Sequence, residues 1–418
     1  KIDALLAQMT LEEKVGQLNQ YSSAFDVTGP APSAGAQKVM YDQVRQGLVG
    51  SVLNVTGAEA TRKMQQLAVE GSRLKIPMIF GLDVIHGYRT MFPTPLGETA
   101  SWDPAAMELS ARIAATEAAA AGLHWTFAPM VDVSWDARWG RIMEGAGEDP
   151  YLGARAATAR VRGFQGGDLA ALDTLAACAK HFAAYGFSEA GRDYNTVDLS
   201  EHRLRNVVLP PFRAAVDAGV ATVMNSFNEI GGVPSTGSTH LQRDILKGEW
   251  GFAGFVVSDW GSIGEMVAHG YAENLEDASR IAIAAGSDMD MEARAYVGHL
   301  AGLVKAGKVD VKLVDDAVRR VLRVKVALGL FDEAAFEAGS AVLEPGDRLV
   351  LYTDGVVEPT DDADQEFGTE RLEGAVREAT GRPAAQALRS VIDATRAFAG
   401  RRDYDDDFTL VVVQRETG

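Results

Sequence analysis

The chain has 418 residues, a formal net charge of −18 and one cysteine. So negative a charge argues against nucleic acid as a partner, because polyphosphate binding needs clustered lysine and arginine. The single cysteine, Cys178, excludes an internal disulfide framework and a cysteine-rich metal site, and its alanine neighbours predict a buried, unreactive thiol. No apolar run approaches the roughly 18 residues that a membrane span needs, so no membrane partner is predicted.

The first 330 or so residues alternate short apolar runs with amphipathic stretches. The predicted strands are Leu48–Leu53, Pro77–Val84, Thr126–Val133, Leu175–Phe182, Ala221–Phe227, Phe255–Asp259 and Ser287–Met291. The helical patterns include Pro104–Ala121, Glu201–Ala218, Leu241–Trp250, Leu275–Ala285 and Val311–Leu328. Strands that alternate with helices imply a parallel sheet. We therefore predict an α/β fold, a (β/α)8 TIM-type barrel with one strand unplaced; a doubly wound open sheet is the alternative, although no glycine-rich phosphate loop follows the first strand.

The composition changes after residue 332. No lysine follows Lys325, and the last 86 residues hold 19 acidic residues against 9 arginines. This part reads as two strands, Asp347–Thr353 and Thr409–Gln414, with an acidic loop and two helices between them. We therefore predict a barrel domain over residues 1–332 and a small, incomplete α+β module over residues 333–418.

Polar side chains follow several predicted strands of the barrel. Asp259 and Trp260 end one strand, Lys180 and His181 close another, and Asp83 follows a third. Chemistry in such barrels sits at the carboxyl ends of the strands, where one pocket can collect these groups. A carboxylate beside an indole also suits a sugar site. The carboxylate can attack or stabilise an anomeric carbon, and the ring can hold a pyranose.

Seven motifs between Met9 and Asp332 closely resemble glycoside hydrolase family 3, especially its periplasmic β-glucosidases. The clearest are Asp83-Val84-Ile85-His86-Gly87, Arg138-Trp139-Gly140-Arg141, Gly147-Glu148-Asp149-Pro150-Tyr151 and Lys180-His181-Phe182-Ala183-Ala184-Tyr185-Gly186. The resemblance implies a retaining glycosidase that needs no cofactor and releases terminal β-D-glucosyl residues from a β-glucoside or oligosaccharide.

The same resemblance assigns roles to individual residues. Asp259 would be the nucleophile, and Asp83 would accept hydrogen bonds from hydroxyls on the far side of the glucose. The remaining predicted contacts with the sugar are those of Arg141, Lys180, His181, Met224 and Trp260. The cations Lys180 and Arg141 are expected to keep Asp259 ionised by lowering its pKa.

Two departures from the family pattern put turnover in doubt. Phe227 stands where many members place a tyrosine whose hydroxyl would touch the nucleophile. The general acid/base of multi-domain members is a glutamate on a following domain that this chain lacks, and the loop Phe187–Asp198 lacks the histidine motif of single-domain relatives. His202, at a predicted helix start, is a weak substitute. Without an acid, a poor leaving group would lose roughly 10²–10⁴-fold in rate.

The tail resembles the C-terminal half of the sporulation-type metal-dependent serine/threonine phosphatases. The resemblance rests on Leu343–Val356 and on Asp405-Asp406-Asp407-Phe408-Thr409-Leu410. It implies that Asp354 and Asp406 would ligate Mg²⁺ or Mn²⁺, although two carboxylates are too few for a two-metal site. Because the other half of that fold is missing, we expect uncovered apolar strands and self-association.

Two further interpretations stay open. In the first, the barrel binds carbohydrate without useful turnover. In the second, the chain is a phosphatase fragment and the barrel is a passenger. Because neither parent family is complete, we also hypothesise an engineered or spliced fusion, which an uninterrupted reading frame in several genomes would contradict.

The two resemblances imply different compartments. The barrel's resemblance implies a periplasmic or secreted protein whose signal peptide was removed, unless the numbering begins inside a longer gene. The tail's resemblance implies a cytoplasmic protein.

Overall fold

The computed structural model describes residues 2–23, 35–331, 347–352, 356–357, 359–361, 365–400 and 410–415. The chain divides into two compact units, Lys1–Ala335 and Phe336–Gly418. The predicted boundary after residue 332 lies outside the described residues and stays a prediction. Within the described part, no helix is both long and apolar enough to cross a bilayer.

The first unit is a closed barrel of eight parallel strands. Its strands are β1 (Asn19–Ser22), β2 (Ser51–Leu53), β3 (Ile79–Leu82), β4 (Trp125–Thr126), β5 (Cys178–Phe182), β6 (Thr222–Asn225), β9 (Phe255–Val257) and β10 (Asp290–Met291). One sheet has the order β10-β1-β2-β3-β4 and the other β5-β6-β9. Parallel bridges between Trp125 and Ala176 and between Val257 and Met289 join the two sheets into a ring. The predicted (β/α)8 fold class is therefore confirmed.

The strand that could not be placed from the sequence is β1. Its residues read Asn-Gln-Tyr-Ser, so it lacks the apolar run expected of a strand that lies in a barrel wall. Gln20 is fully buried, and its side chain donates to the Ser51 hydroxyl of the neighbouring strand at 2.8 Å. Buried polar side chains thus hide this strand from a search based on apolarity.

Helices follow the barrel strands, and a short hairpin follows β6. The hairpin strands are β7 (Glu229–Ile230) and β8 (Val233–Pro234). The α-helices of the first unit are α1 (Ile2–Leu6), α2 (Leu11–Gln17), α3 (Gly35–Arg45), α4 (Ala58–Gly71), α5 (Pro95–Thr99), α6 (Pro104–Ala120), α7 (Pro150–Gln165), α8 (Glu201–Arg203), α9 (Pro210–Asp217), α10 (Ser262–Ala268), α11 (Leu275–Ala285), α12 (Ala301–Lys305) and α13 (Val311–Ala327). Short 3₁₀ turns lie at Ile142–Glu144, Tyr185–Phe187, Glu189–Gly191 and Ser235–Gly237, and π-helical segments at Leu204–Val208, His240–Glu249 and Tyr296–Leu300.

The predicted helix Pro104–Ala121 is confirmed as α6. The Asp103 side chain caps it by accepting from the backbone N–H groups of Ala105 and Ala106. By contrast, the predicted strand Thr126–Val133 is wrong beyond Thr126. Pro129 has no N–H to donate, so the regular ladder stops. Contact with β5 continues through the carbonyls of Ala128 and Pro129, which accept from Cys178 and Lys180, and through a bridge between Met130 and Lys180.

Large side chains fill the interior of the barrel. Trp125 packs edge-on against Phe255, with ring centroids 5.2 Å apart, and its indole N–H donates to Thr222 at 2.8 Å. Cys178 lies in the same cluster and is fully buried, as predicted. Burial raises the pKa of its thiol to about 12, so it stays protonated at neutral pH.

The second unit contains two strands and two helices among its described residues. The strands β11 (Arg348–Tyr352) and β12 (Leu410–Gln414) pair antiparallel, and the helices are α14 (Gly368–Glu378) and α15 (Ala384–Ala399). Val356, Phe367, Leu372 and Val391 form a small apolar cluster. The predicted element types are confirmed, whereas self-association of this unit stays a prediction.

One buried charge in the first unit has little compensation. Lys325, on α13, is fully buried, and its ammonium donates to the Gln17 side chain at 2.7 Å. Burial lowers the pKa of Lys325 to about 7. An unfolded chain would bind the same proton with a pKa of about 10.4, so protonation of this lysine favours unfolding.

We expect Lys325→Met to stabilise the first unit most below pH 7. The cost of burying the charge is complete below the folded pKa and disappears as the pH approaches about 10.4, so the advantage of the variant should shrink by about 4 kcal/mol between pH 6 and pH 10. Urea unfolding followed by tryptophan fluorescence reports on this unit, since all six tryptophans lie in it. Lys312→Met, an exposed change on the same helix, is the matched control. An advantage that does not vary with pH would contradict the prediction.

Candidate active site

Lys180 lies at the centre of a charged cluster at the carboxyl end of β5. Its side chain is only 4% exposed, and its ammonium donates to Asp83 Oδ1 at 2.9 Å and lies 3.9 Å from Glu144 Oε2. Burial by itself would lower the pKa of Lys180, but the Asp83 and Glu144 carboxylates outweigh it and raise that pKa above its usual value. Lys180 therefore carries a full charge at neutral pH.

Arg141 extends the same network. Its guanidinium makes two hydrogen bonds to Glu144, at 2.7 and 3.0 Å, and lies 5.6 Å from the centre of the Tyr185 ring. Asp83, at the other end of the network, keeps 54% of its side chain exposed. The network thus presents to solvent a carboxylate that is held by the buried Lys180 ammonium, an arrangement that suits a ligand rich in hydroxyl groups.

Asp259 follows β9 and is almost completely buried. The backbone N–H of Trp260 donates to Asp259 Oδ1 at 2.7 Å, while Oδ2 has no hydrogen-bond partner among the described residues. Burial raises the pKa of Asp259 to about 6, although Lys180, the Trp260 N–H and Arg141 oppose that shift. Lys180 and Arg141 thus lower the pKa of Asp259 as expected, but the loss of water outweighs them and the net shift is upward.

His181 lies between Asp259 and a carboxylate that the sequence analysis did not identify. His181 Nε2 is 3.6 Å from Asp259 Oδ2, and His181 Nδ1 is 2.8 Å from Asp132 Oδ2. A signal for Asp132 was present, since it is a charged residue inside the apolar run Phe127–Val133. Glu144, which pairs with Arg141 and lies near Lys180, was also given no role by the sequence analysis.

The structure thus brings Asp83, Arg141, Lys180, His181 and Asp259 into one site. Trp260 is half exposed beside them. Met224 is buried in the cluster that contains Cys178 and Trp125, and its contact with a sugar stays a prediction.

Phe227 takes part in an aromatic cluster beside the charged network. Its ring lies 4.6 Å from that of Tyr194 and 5.8 Å from that of Tyr185, measured between centroids. Trp139 and Met130 complete the cluster. The missing tyrosine hydroxyl is therefore replaced by apolar packing rather than by another polar group at this position.

His202 stands apart from this cluster, whereas Glu265 interacts electrostatically with Asp259. His202 is exposed on α8, where the neighbouring Arg205 pairs with Glu249. Glu265, on α10, has a pKa raised by partial burial and by the charge of Asp259. It is a carboxyl group near Asp259 that the sequence analysis missed.

A cleft of about 250 Å³ adjoins Asp83. Its walls are Asp83, Ile85, His86, Gly87, Met91, Thr94, Pro95, Met143 and Glu144. The guanidinium of Arg160, which is buried in an ion pair with Glu98, donates to the Ile85 carbonyl and anchors this loop. A ligand bound at Asp83 would therefore have room to extend past the carboxylate into this cleft.

Asp354 and Asp406, the predicted metal ligands, lie outside the described residues. Among the residues that are described, no group of three or more histidine, cysteine, aspartate or glutamate side chains could hold a metal ion. The Mg²⁺ or Mn²⁺ site of the tail therefore stays a prediction.

Two protein families match the chain. Residues 10–324 match the model of the glycosyl hydrolase family 3 N terminal domain. Residues 272–416 match the model of stage II sporulation protein E, which agrees with the resemblance seen in the tail.

Relatives with curated names include a periplasmic β-glucosidase from Salmonella typhimurium, 43% identical over 343 residues, which cover 82% of this chain and 44% of that protein. A lysosomal β-glucosidase from Dictyostelium discoideum is 33% identical over 82% of this chain and 45% of its own length. The chain thus spans less than half the length of these two relatives.

The solved structures include a β-glucosidase from Listeria innocua in complex with glucose. It matches with a TM-score of 0.75 and 40% identity, covering 79% of this chain and 47% of that one. A mutant of the same enzyme in complex with laminaribiose covers 95% of this chain at a TM-score of 0.75 and 32% identity. Fold, sequence and family model agree, and the chain belongs to glycosyl hydrolase family 3.

Proposed function

We propose that the barrel is a retaining glycosidase that releases terminal β-D-glucosyl residues through a covalent intermediate on Asp259. The observation that carries the proposal is the environment of Asp259, whose Oδ2 is buried and unpaired among the described residues and faces the cluster that contains Lys180 and His181. A carboxylate with a pKa of about 6 is ionised at neutral pH and poised to attack an anomeric carbon.

The charged network supplies the binding part of the proposal. Asp83 accepts from glucose hydroxyls, while Lys180, Arg141 and His181 contact adjacent hydroxyls and Trp260 lines the outer subsite. Charge-assisted bonds to several hydroxyls fix the orientation of the ring, which is the main demand of the first chemical step. The names of the relatives, a periplasmic and a lysosomal β-glucosidase, support this substrate class and favour a location outside the cytoplasm.

A second candidate function is sugar binding without useful turnover. The observation that favours it is that no general acid is identified among the described residues around Asp259, while the match covers only 44% of the Salmonella enzyme. The two functions share the binding cluster and differ in whether a general acid is supplied. We further propose that residues 1–332 form the glycosidase domain and that residues 333–418 take no part in the reaction.

We expect a 2-fluoro-glucoside with a dinitrophenyl leaving group to form a stable adduct on Asp259. That leaving group needs no acid, so the experiment isolates the nucleophile. Intact-mass analysis should show one added 2-fluoroglucosyl group, and peptide mapping should place it on Asp259. Asp259→Asn should abolish the adduct, whereas Asp290→Asn, a change at another buried strand carboxylate, should preserve it. A folded protein without an adduct would favour the binding-only function.

We expect Lys180→Met to move the acidic limb of adduct formation to higher pH. The charge of Lys180 lowers the pKa of Asp259, so its removal should raise that pKa above about 6 and require a higher pH for the ionised nucleophile. The rate of adduct formation measured between pH 4.5 and 8 tests this. Lys247→Met removes a buried lysine paired with Asp288 and is the matched control. An unshifted limb in Lys180→Met would rule out this coupling.

We expect the rate to depend steeply on the leaving group. No general acid is identified among the described residues of the site, so we expect the chain to cleave dinitrophenyl β-glucoside but to lose a further roughly 10²–10⁴-fold on methyl β-glucoside relative to an enzyme that has such an acid. Azide attacks the intermediate without help from a base, so it should speed turnover and give β-glucosyl azide. Asp259→Asn should show no azide effect. Efficient cleavage of methyl β-glucoside would show that an acid is present.

A further inference from the structure

Asp132 and His181 form a pair in the barrel interior. Their side chains are 1% and 0% exposed, respectively. Asp132 Oδ2 is 2.8 Å from His181 Nδ1 and also accepts the backbone N–H of His181 at 2.8 Å. Two contacts to the same oxygen fix both the backbone and the ring of His181, so the direction of Nε2 is set by Asp132.

Three atoms around this pair lack a hydrogen-bond partner among the described residues. They are Asp132 Oδ1, His181 Nε2 and Asp259 Oδ2. When Asp132 is ionised, Nδ1 must carry the ring proton, and Nε2 then faces the Asp259 carboxylate at 3.6 Å as a second acceptor. Two buried acceptors facing each other are unfavourable unless a proton or a substrate hydroxyl lies between them.

We infer that Asp132 is a positioning residue for Asp259, and that one proton held by the Asp132–His181 pair decides whether His181 Nε2 accepts from or donates to the site. The inference rests on the proposed role of Asp259. The step is a proton exchange with solvent and changes no other bond. In the ionised pair Nδ1–H donates to Asp132; when the pair takes up one proton, Nε2 carries a hydrogen and donates to Asp259 Oδ2.

The position of the added proton follows from the unpaired atoms. On Asp132 Oδ1 it would be a buried donor without an acceptor among the described residues, which is costly. Between Oδ2 and Nδ1 the proton is shared, and the Nε2–H then has the Asp259 carboxylate as its acceptor. The second arrangement satisfies both donors.

The charges around the pair place its titration near neutral pH. Asp132 faces His181, Arg141, Glu144 and Lys180, and burial dominates, raising the pKa of Asp132 to about 7. His181 faces Arg141 and Lys180 as well as Asp259, and burial together with those two cations lowers the pKa of His181 well below its usual value. The pair therefore holds an additional proton only towards acidic pH, and the proton belongs to the pair rather than to either residue.

NMR of protein labelled with ¹⁵N-histidine tests the inference directly. Long-range proton–nitrogen correlations distinguish the two neutral tautomers, and His181→Gln identifies the His181 signal among the seven histidines. We expect the wild type to show Nδ1–H alone at pH 8.5 and to gain Nε2–H as the pH falls to 5.5. In Asp132→Asn the amide oxygen should keep both contacts of Oδ2, so the Nδ1–H tautomer should persist across this range.

Asp290→Asn is the matched control. Asp290 is also fully buried at a barrel strand, and it accepts from the backbone N–H groups of Ala293, Ala295 and Tyr296 rather than from a histidine. This variant should cost stability and leave the His181 tautomers as in the wild type. Identical tautomer behaviour in wild type and Asp132→Asn, or a wild-type tautomer that does not change between pH 5.5 and 8.5, would overturn the inference.

The rate of 2-fluoroglucosyl adduct formation gives a second measurement. A donor on Nε2 orients the Asp259 carboxylate, so above the acidic limb set by Asp259 the wild-type rate should fall roughly tenfold as the pH rises through neutrality. Over the same range Asp132→Asn should keep the lower rate. A wild type that forms no adduct contradicts the proposed function, while the NMR result still decides the inference. An adduct whose pH profile is the same in both proteins contradicts the inference alone.

Discussion

Eight parallel strands leave no unpaired edge only when they close into a ring, and that closure determines where the functional groups of this chain lie. The strands point in one direction, so residues at the carboxyl ends of β3, β5 and β9 meet at one end of the barrel. Asp83, Lys180 and Asp259 are far apart in the sequence and come together for this reason alone. The interior behind them is packed with large side chains, so the site has a rigid base.

The site is built from buried charges, each compensated differently. Lys180 keeps its charge because two carboxylates lie near it, whereas Asp259 has only the Trp260 N–H and more distant cations. Lys180 therefore stays protonated, whereas the pKa of Asp259 is raised to about 6. Asp259 Oδ2 has no hydrogen-bond partner among the described residues. A substrate hydroxyl that donates a hydrogen bond to this oxygen would satisfy it, and that bond would contribute to the free energy of substrate binding.

The sequence predicted the barrel because seven of its strands are apolar runs, and it predicted most of the site because polar residues follow those runs directly. Asn19–Ser22 was missed because its residues are polar and give no apolar run. Asp132 was missed because it lies within an apolar run, and only the structure shows that its carboxylate accepts the backbone N–H of His181. The net pKa of Asp259 could not be predicted because the sequence shows the charges of Lys180 and Arg141, which lower that pKa, but not the loss of water, which raises it further.

The ring also links the two ends of the first unit. The backbone N–H of Ser22 on β1 bonds to Glu292, just after β10, across 270 residues of chain. During translation at about 5–20 residues per second, roughly 14 to 54 s separate the synthesis of these two partners. Throughout that interval the edge of β1 that later pairs with β10 is unpaired in the nascent chain. The helices synthesised in the interval, or a chaperone, must then keep this edge from pairing with other strands.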